Sequence, residues 1–171
     1  MAFDDFLVDS SQYGTNYIAV MPTNLYGPRD NFDLEKSHVL PAMIRKIYLA
    51  KLFMENNIDA IRADFNKLPI KGISGDSEIC EITDMLNSFG IYKDYVQLWG
   101  TGTPLREFLW SEDMADASIY ILENVSFDDL KGSDAEIRNC HINIGSGKEL
   151  SIKELAYKIK NEVGYLGDIR W

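Results

Sequence analysis

Three short apolar segments, each followed by a loop-forming run, limit most strongly what this chain can fold into. They lie at residues 16–20 (N-Y-I-A-V), 95–99 (Y-V-Q-L-W) and 140–144 (C-H-I-N-I). Elsewhere apolar residues recur at the three- and four-residue spacing of a helix, most clearly after Ser37. Strands that alternate with helices are typical of a parallel sheet covered by helices. The sequence therefore predicts an α/β fold.

Residues that can cap helices mark several helix ends. The run S-I-K-E that begins at Ser151 is a capping box, in which the serine and glutamate side chains each bind a backbone N–H at the start of the helix. Gly164 follows as a left-handed end of that helix. Asp76 and Ser111 are the predicted N-caps of two further helices, and Gly90 is the predicted end of the first of these.

The composition of the chain changes after its first predicted long helix, where polar residues and helix breakers accumulate. We predict a surface insertion at about residues 55–94. Residues 1–15 carry no recognisable motif, whereas residues 16–171 show the alternating strand and helix signals of the predicted domain. There is no internal repeat or low-complexity tract that would mark a second complete domain.

Charge and cysteine content exclude two classes of function. The chain has 27 acidic and 17 basic residues and a formal net charge of −10, so we expect no nucleic-acid partner, because such binding depends on basic side chains. The potential soft metal ligands are few and lack C-x-x-C spacing, so we expect no metal site. They are Cys80, Cys140, His38 and His141.

Neither a membrane span nor a secretion signal is apparent. No run of 18 apolar residues occurs, and the first nine residues are acidic rather than basic. We expect no membrane contact and a cytoplasmic location.

A loop, several cations and an aromatic side chain make up a candidate nucleotide site. The loop M-P-T-N-L-Y-G-P at residues 21–28 directly follows a predicted strand. Trp99 offers a flat surface for stacking, and Arg45, Lys46 and Arg106 are candidate cations for phosphate. The structural alternatives are core packing for the tryptophan and a solvated face for the cations.

Longer strings of residues make this site more specific. In order they are M-P-T-N-L-Y-G-P-R-D-N-F at 21–32, S-H-V-L-P-A-M-I-R-K at 37–46, L-W-G-T-G-T-P-L-R-E-F-L-W-S-E-D-M-A-D-A at 98–117, and H-I-N-I-G-S-G at 141–147. This pattern resembles GDP-L-fucose synthase, in the extended short-chain dehydrogenase/reductase family of NAD-dependent epimerases and dehydratases. The resemblance implies part of that fold: mostly the C-terminal substrate-binding domain, with leftover strands of the Rossmann sheet.

The resemblance also implies an activity and residue roles. The full enzyme epimerises GDP-4-keto-6-deoxy-D-mannose at C3 and C5 and reduces C4 with NADPH to give GDP-L-fucose. His38 matches the catalytic histidine, and imidazole suits proton transfer near neutral pH; the alternative is that it only caps or packs beside its helix. The cofactor-binding positions are Pro22, Thr23, Asn24, Leu25 and His38. The GDP-sugar contacts are Lys46, where some relatives carry arginine, Trp99 and Arg106.

Two cofactor motifs of this family do not occur in the 171 residues. One is the glycine-rich G-x-x-G-x-x-G loop, and the other is Y-x-x-x-K, since no tyrosine is followed by lysine four residues later. The glycine-containing runs at 100–102 and 145–148 lack the framework of a phosphate loop and are predicted to be turns. We therefore expect that NADP(H) binds the full-length enzyme but not this chain alone.

A chain with these motifs is expected to be incomplete as a catalyst. Without preceding parallel strands, the strand at 16–20 would leave an unpaired edge and uncovered apolar surface. A complementary chain that supplies the Rossmann half, or a homodimer, would provide cover. The alternative function is a GDP-sugar-binding or regulatory module without catalysis.

Overall fold

The computed structural model describes residues 13–131 and 140–171. The chain forms two compact units: one comprises residues up to Gly27 together with Glu107–Glu149, and the other comprises Pro28–Arg106 with Leu150–Trp171. In chain order the elements are β1 (Ala19–Pro22), β2 (Asn24–Tyr26), α1 (Val39–Met54), α2 (Ile58–Lys67), α3 (Ile79–Ser88), β3 (Tyr95–Gln97), β4 (Leu105–Trp110), α4 (Ser111–Asn124), α5 (Phe127–Lys131), β5 (His141–Ile144), β6 (Glu149–Ser151), α6 (Ile152–Val163) and β7 (Asp168–Arg170). The predicted α/β class is confirmed.

Parallel strand pairs form the first unit. β1 pairs with β5, and β2 pairs with β4. Leu109, Ile121 and Ile144 are buried at its centre, so β4, α4 and β5 each contribute one side chain to this core. Burial of such side chains is worth about 1.5–3 kcal/mol each.

The first strand lies later in the chain than its apolar run suggested. The prediction of a strand at 16–20 was wrong by three residues at its start, because the pairing with β5 begins at Ala19 and ends at Pro22. The predicted loop at 21–28 also contains β2, whose Asn24 is paired with Phe108 of β4. A three-residue strand of this kind depends on its distant partner, which local composition does not reveal.

The second unit is built around α1, which packs against α2, α6 and β3. β3 and β7 form a parallel pair in which Tyr95 lies opposite Asp168 and Gln97 lies opposite Arg170. The helix that Ser37 was predicted to open is α1, and His38 is its N-cap, one residue later than predicted.

The segment at about 55–94, predicted to be a surface insertion, contributes many buried side chains to this unit. Two come from α2 and two from α3, where they recur at helical spacing and face inward. The buried side chains of the segment are Ile61, Phe65, Ile70, Ile82, Leu86, Phe89 and Ile91. The segment is therefore part of the core of the second unit.

Two predicted N-caps are wrong by one or two residues. α3 follows Glu78, whose backbone N–H donates to the Glu81 carboxylate at 3.0 Å, while the Asp76 carboxylate accepts from the Asn66 amide at 3.4 Å. α4 begins at Ser111 itself, because β4 runs directly into the helix and leaves Trp110 as the N-cap.

The capping box at Ser151 is confirmed. The Ser151 hydroxyl accepts from the Glu154 backbone N–H at 3.1 Å, and the Glu154 carboxylate accepts from the Ser151 N–H at 2.7 Å. Gly164 ends α6 with a φ of 73°, and Gly90 follows α3 with a φ of 70°. Both glycines occupy the left-handed region that residues with a Cβ rarely adopt.

Candidate functional site

A cavity of about 310 Å³ in the second unit brings together two of the predicted substrate-binding residues, Lys46 and Trp99. One face of α1 forms its wall, since residues spaced by three, four and seven positions share a helix face. These are Val39, Ala42, Met43 and Lys46. The cavity is therefore apolar along most of α1 and has a single cation at the end of that row.

Two tryptophans line the cavity from the carboxyl ends of neighbouring parallel strands. Trp99 follows β3, and Trp171 follows β7. The Leu98 backbone N–H donates to the Arg170 carbonyl at 2.7 Å, which continues the pairing up to the two indoles. Trp99 is 79% exposed, so the alternative that it packs in the core is excluded. Its ring face is available to a ligand.

Trp171 was not predicted as a site residue. A Cβ added to Gly102 would lie 2.7 Å from the Trp171 ring, so only glycine leaves room for the indole here. The loop that holds Gly102 is fixed by the Lys153 N–H, which donates to the Gly102 carbonyl at 2.9 Å. The sequence could indicate that Trp171 ends a strand. It could not indicate that this strand pairs with β3, which ends near Trp99.

Lys46 is half-buried beside the Trp99 ring. Its Nζ lies 5.7 Å from the ring centroid, within the range of a cation–π contact. Burial lowers the pKa of Lys46 from 10.5 to about 8, because the charged form loses hydration. No carboxylate within the described residues forms an ion pair with it. Lys46 therefore does not lie on a solvated face, and an anionic ligand would stabilise its charged form.

His38 lies at the start of α1 but does not cap it with its side chain. The residue is exposed, and its neighbours Ser37 and Val39 both line the cavity. His38 itself is not among the lining residues. Neither capping nor core packing accounts for its imidazole, and its catalytic role stays a prediction.

The two candidate arginines, unlike Lys46, do not line the cavity. Arg106 is exposed, does not line the cavity, and donates to the Leu105 carbonyl at 2.7 Å. Arg45 is buried, and its guanidinium lies 2.7 Å from the Asp64 carboxylate. Arg45 was wrongly considered as a phosphate-binding cation, because Asp64 already neutralises it.

The predicted cofactor segment, Pro22 to Leu25, lies in the first unit. The Thr23 N–H donates to the Ile144 carbonyl at 3.0 Å, and the Asn24 amide donates to the Glu107 carbonyl at 3.0 Å. The Thr23 hydroxyl is buried and has no hydrogen-bond partner among the described residues. A buried polar group of this kind without a partner is unusual.

The glycine-containing run at 145–148 is occupied by a side chain of the protein. The Glu107 carboxylate accepts from the Gly147 N–H and from the Ser146 hydroxyl, the latter at 3.2 Å. A Cβ on Gly145 would clash with the same carboxylate. This run is a turn held by Glu107 and leaves no place for a phosphate.

The described residues contain neither a membrane-spanning helix nor a cluster of metal ligands. No helix within 13–131 and 140–171 is long and apolar enough to cross a membrane. No group of three His, Cys, Asp or Glu residues in the same ranges is arranged to hold a metal ion.

Comparison with protein families decides the ancestry of the chain. The model of the NAD dependent epimerase/dehydratase family matches residues 2–64 and 81–145, which is most of the sequence. The chain belongs to this family. The stretch between the two matches lies within the segment predicted to be an insertion.

Relatives within the NAD dependent epimerase/dehydratase family support the resemblance to GDP-L-fucose synthase. The GDP-L-fucose synthase of Sinorhizobium fredii is 40% identical over 158 residues, which is 92% of this chain but 35% of that protein. The chain thus spans about a third of the length of the curated relatives that it matches.

Solved structures of the same family show the same fold. A GDP-6-OMe-4-keto-L-xylo-heptose reductase from C. jejuni has a TM-score of 0.86 and 43% identity, covering 97% of this chain and 45% of that one. A GDP-mannoheptose C4 reductase from Campylobacter jejuni, solved with NADP bound, has a TM-score of 0.77 and 43% identity, with the same coverage. The predicted extended short-chain dehydrogenase/reductase fold is confirmed.

The orphaned hydroxyl of Thr23 gives a first testable prediction for this family member. Thr23→Val replaces the hydroxyl with a methyl group of similar size, so the unpaired buried oxygen is removed. We expect the free energy of unfolding to stay unchanged or rise by up to about 1 kcal/mol, since a buried polar group without a partner is destabilising. Urea denaturation followed by circular dichroism would measure it.

Thr103→Val is the matched control. Its hydroxyl lies 2.7 Å from the Thr101 hydroxyl, so the same substitution there breaks a hydrogen bond. A clear loss of stability in Thr23→Val, larger than that in the control, would show that the Thr23 hydroxyl does have a partner in the folded chain.

Proposed function

We propose that this chain is the GDP-sugar-binding part of an NADPH-dependent epimerase/reductase that converts GDP-4-keto-6-deoxy-D-mannose to GDP-L-fucose. The observation that carries the proposal is the aromatic cavity in which Lys46 lies beside the exposed ring of Trp99. Relatives described as GDP-L-fucose synthases or GDP-sugar reductases share both the sequence and the fold.

The cavity has the chemistry that a nucleoside diphosphate requires. Indole rings offer flat apolar surfaces on which a base can stack, and a partly desolvated ammonium attracts phosphate more strongly than an exposed one. At about 310 Å³ the cavity is at the lower limit of small-molecule sites, which fits part of a nucleotide sugar rather than all of it. Arg106, outside this cavity, is proposed to contact a more distant part of the ligand.

Epimerisation removes a proton from a carbon next to the ketone and returns one to the opposite face. We assign this acid/base work to His38, whose exposed imidazole has no capping bond to hold it. NADPH supplies the hydride that reduces the ketone when it is bound, and residues 22–25 would form one edge of its site.

The same proposal makes this chain an incomplete catalyst by itself. Its 171 residues hold neither a glycine-rich phosphate loop nor a Y-x-x-x-K pair, so we expect it not to bind NADPH alone. Several apolar side chains of α4 in the first unit are exposed, namely Ile119, Tyr120 and Leu122. This surface supports the proposal that a complementary chain or a second copy covers it.

The relatives named above are described as enzymes, so the comparisons do not favour a purely regulatory GDP-sugar-binding module. A cytoplasmic location remains part of the proposal.

A pH titration tests the proposed phosphate contact. We expect GDP affinity to fall about tenfold or more between pH 7 and pH 9.5, because Lys46 loses its proton through about pH 8 rather than 10.5. The anion stabilises the protonated form, so binding near pH 8 should take up a proton. Calorimetric titration in buffers of different ionisation enthalpy would measure both quantities.

Lys46→Arg is the control for this titration. Arginine stays charged over the whole range and can bind phosphate with two N–H groups, so affinity should become nearly independent of pH. A wild-type affinity that does not change between pH 7 and pH 9.5 would show that Lys46 does not bind the phosphate.

A further inference from the structure

The cavity that holds Lys46 and Trp99 has two other polar side chains in its lining, Glu35 and Ser37. The Ser37 hydroxyl donates to the Asp33 carbonyl at 2.5 Å, so its proton is already used. Glu35 differs, because only its Oε1 is engaged, by the Lys71 ammonium at 2.8 Å. Within the described residues its second oxygen has no hydrogen-bond partner.

The backbone around Glu35 is held in a fixed turn. The Asp33 carboxylate accepts from the N–H of Glu35 at 2.8 Å and from that of Lys36 at 2.9 Å. These two donors lower the pKa of Asp33, because they stabilise its ionised form. Lys71 in turn lies 5.2 Å from the ring centroid of Phe89, another cavity residue. The carboxylate is therefore presented at the cavity by a turn and an ion pair.

A carboxylate and an ammonium that line one aromatic cavity define a pattern for the ligand. The carboxylate accepts hydrogen bonds only, whereas the ammonium donates only. Guanine presents two adjacent donors on one edge, N1–H and the 2-amino group. Adenine presents an acceptor, N1, at the corresponding position, and hypoxanthine keeps N1–H but lacks the amino group. Only guanine offers a carboxylate two hydrogen bonds.

We propose that Glu35 determines base specificity: its carboxylate accepts hydrogen bonds from the N1–H and 2-amino group of a guanine bound in the cavity, while Lys46 binds the diphosphate. This inference rests on the proposed function, which supplies the nucleotide diphosphate. It adds the residue that distinguishes guanine from other purines. An analogue that lacks these donors loses hydrogen bonds, and adenine in addition opposes its N1 lone pair to the carboxylate, so both analogues should bind more weakly.

The test compares GDP, IDP and ADP on the 171-residue chain by calorimetric titration. For the wild type we expect GDP to bind about 10-fold more tightly than IDP and about 100-fold more tightly than ADP. Glu35→Gln keeps the size of the side chain but replaces one acceptor oxygen of the carboxylate with an amide NH₂ donor. We expect it to weaken GDP binding at least about 10-fold and to bring the three affinities within about threefold of one another.

Lys71→Met separates base recognition from loop anchoring, since it breaks the same ion pair but keeps the Glu35 carboxylate. We expect this variant to retain the preference for GDP over ADP. Equal losses in Glu35→Gln and Lys71→Met with an unchanged preference would overturn the inference, because Glu35 would then act only through the turn. A wild type that binds the three nucleotides equally would overturn it as well.

The outcome for GDP alone distinguishes the inference from the function on which it rests. If the wild-type chain is folded by circular dichroism and binds no GDP, the proposed function fails and the inference fails with it. If GDP binds with the expected pH dependence but Glu35→Gln leaves the preference intact, only the inference fails.

Discussion

Replacing Lys46 with methionine is expected to weaken GDP binding by about 10- to 100-fold at pH 7, with little change in fold. A hydrogen bond to a charged group contributes about 1.5–3 kcal/mol, and Lys46 is the cation of the cavity. Methionine is unbranched and similar in length, so it can fill the same space beside the Trp99 ring. Calorimetric titration gives the affinity directly.

Lys93→Met is the matched control for this substitution, because Lys93 is an exposed lysine of the same unit that does not line the cavity. It should leave GDP affinity within about twofold of the wild type. Arg106→Ala should have a smaller effect than Lys46→Met, since Arg106 is exposed and outside the cavity. Equal GDP affinity in Lys46→Met and the wild type would show that GDP does not bind Lys46 in this cavity.

The largest expected loss of stability is in Arg45→Met, at about 3 kcal/mol. Arg45 is buried and donates to the Asp64 carboxylate and to the carbonyls of Phe32 and Leu68. Removing one partner of such a pair leaves the other charge and two carbonyls without their donors. The expected decrease in Tm is about 10 °C for a chain of this size. Differential scanning calorimetry would measure it.

The exposed pair of Lys71 and Glu35 provides the contrast. Their side chains are 52% and 44% exposed, and a solvated ion pair contributes at most about 1 kcal/mol. Lys71→Met should therefore lower Tm by no more than about 3 °C. If Arg45→Met were as stable as Lys71→Met, the ion pair of Arg45 with Asp64 would not be what stabilises the packing of α2 against α1.

Signals that depend on a few neighbouring residues could be predicted from the sequence. The capping box at Ser151 and the left-handed glycines at 90 and 164 are examples, because their geometry is set within one helix turn. The apolar spacing after Ser37 predicted the helix α1, which supplies one wall of the cavity. The order of the motifs predicted Trp99 as a GDP-sugar contact. Its 79% exposure excludes the alternative of core packing.

Features that depend on distant partners could not be predicted in this way. Arg45 and Lys46 are adjacent cations with different roles, and the difference arises because Asp64, 19 residues away, pairs with only one of them. β2 was assigned to a loop, since its strand character depends on β4. Trp171 and Glu35 reach the cavity through a parallel strand pair and a turn held by Asp33, and neither contact is visible in local composition.

Calorimetric titration of the purified 171-residue chain with GDP and then with NADPH, beside circular dichroism to confirm folding, tests the central claim most directly. The claim is that this chain contains a nucleotide-sugar half-site built on Lys46 and Trp99 and lacks the means to bind the dinucleotide. It predicts saturable binding of GDP at one site and no binding of NADPH. A folded chain that binds no GDP, or that binds NADPH as tightly as GDP, would contradict it.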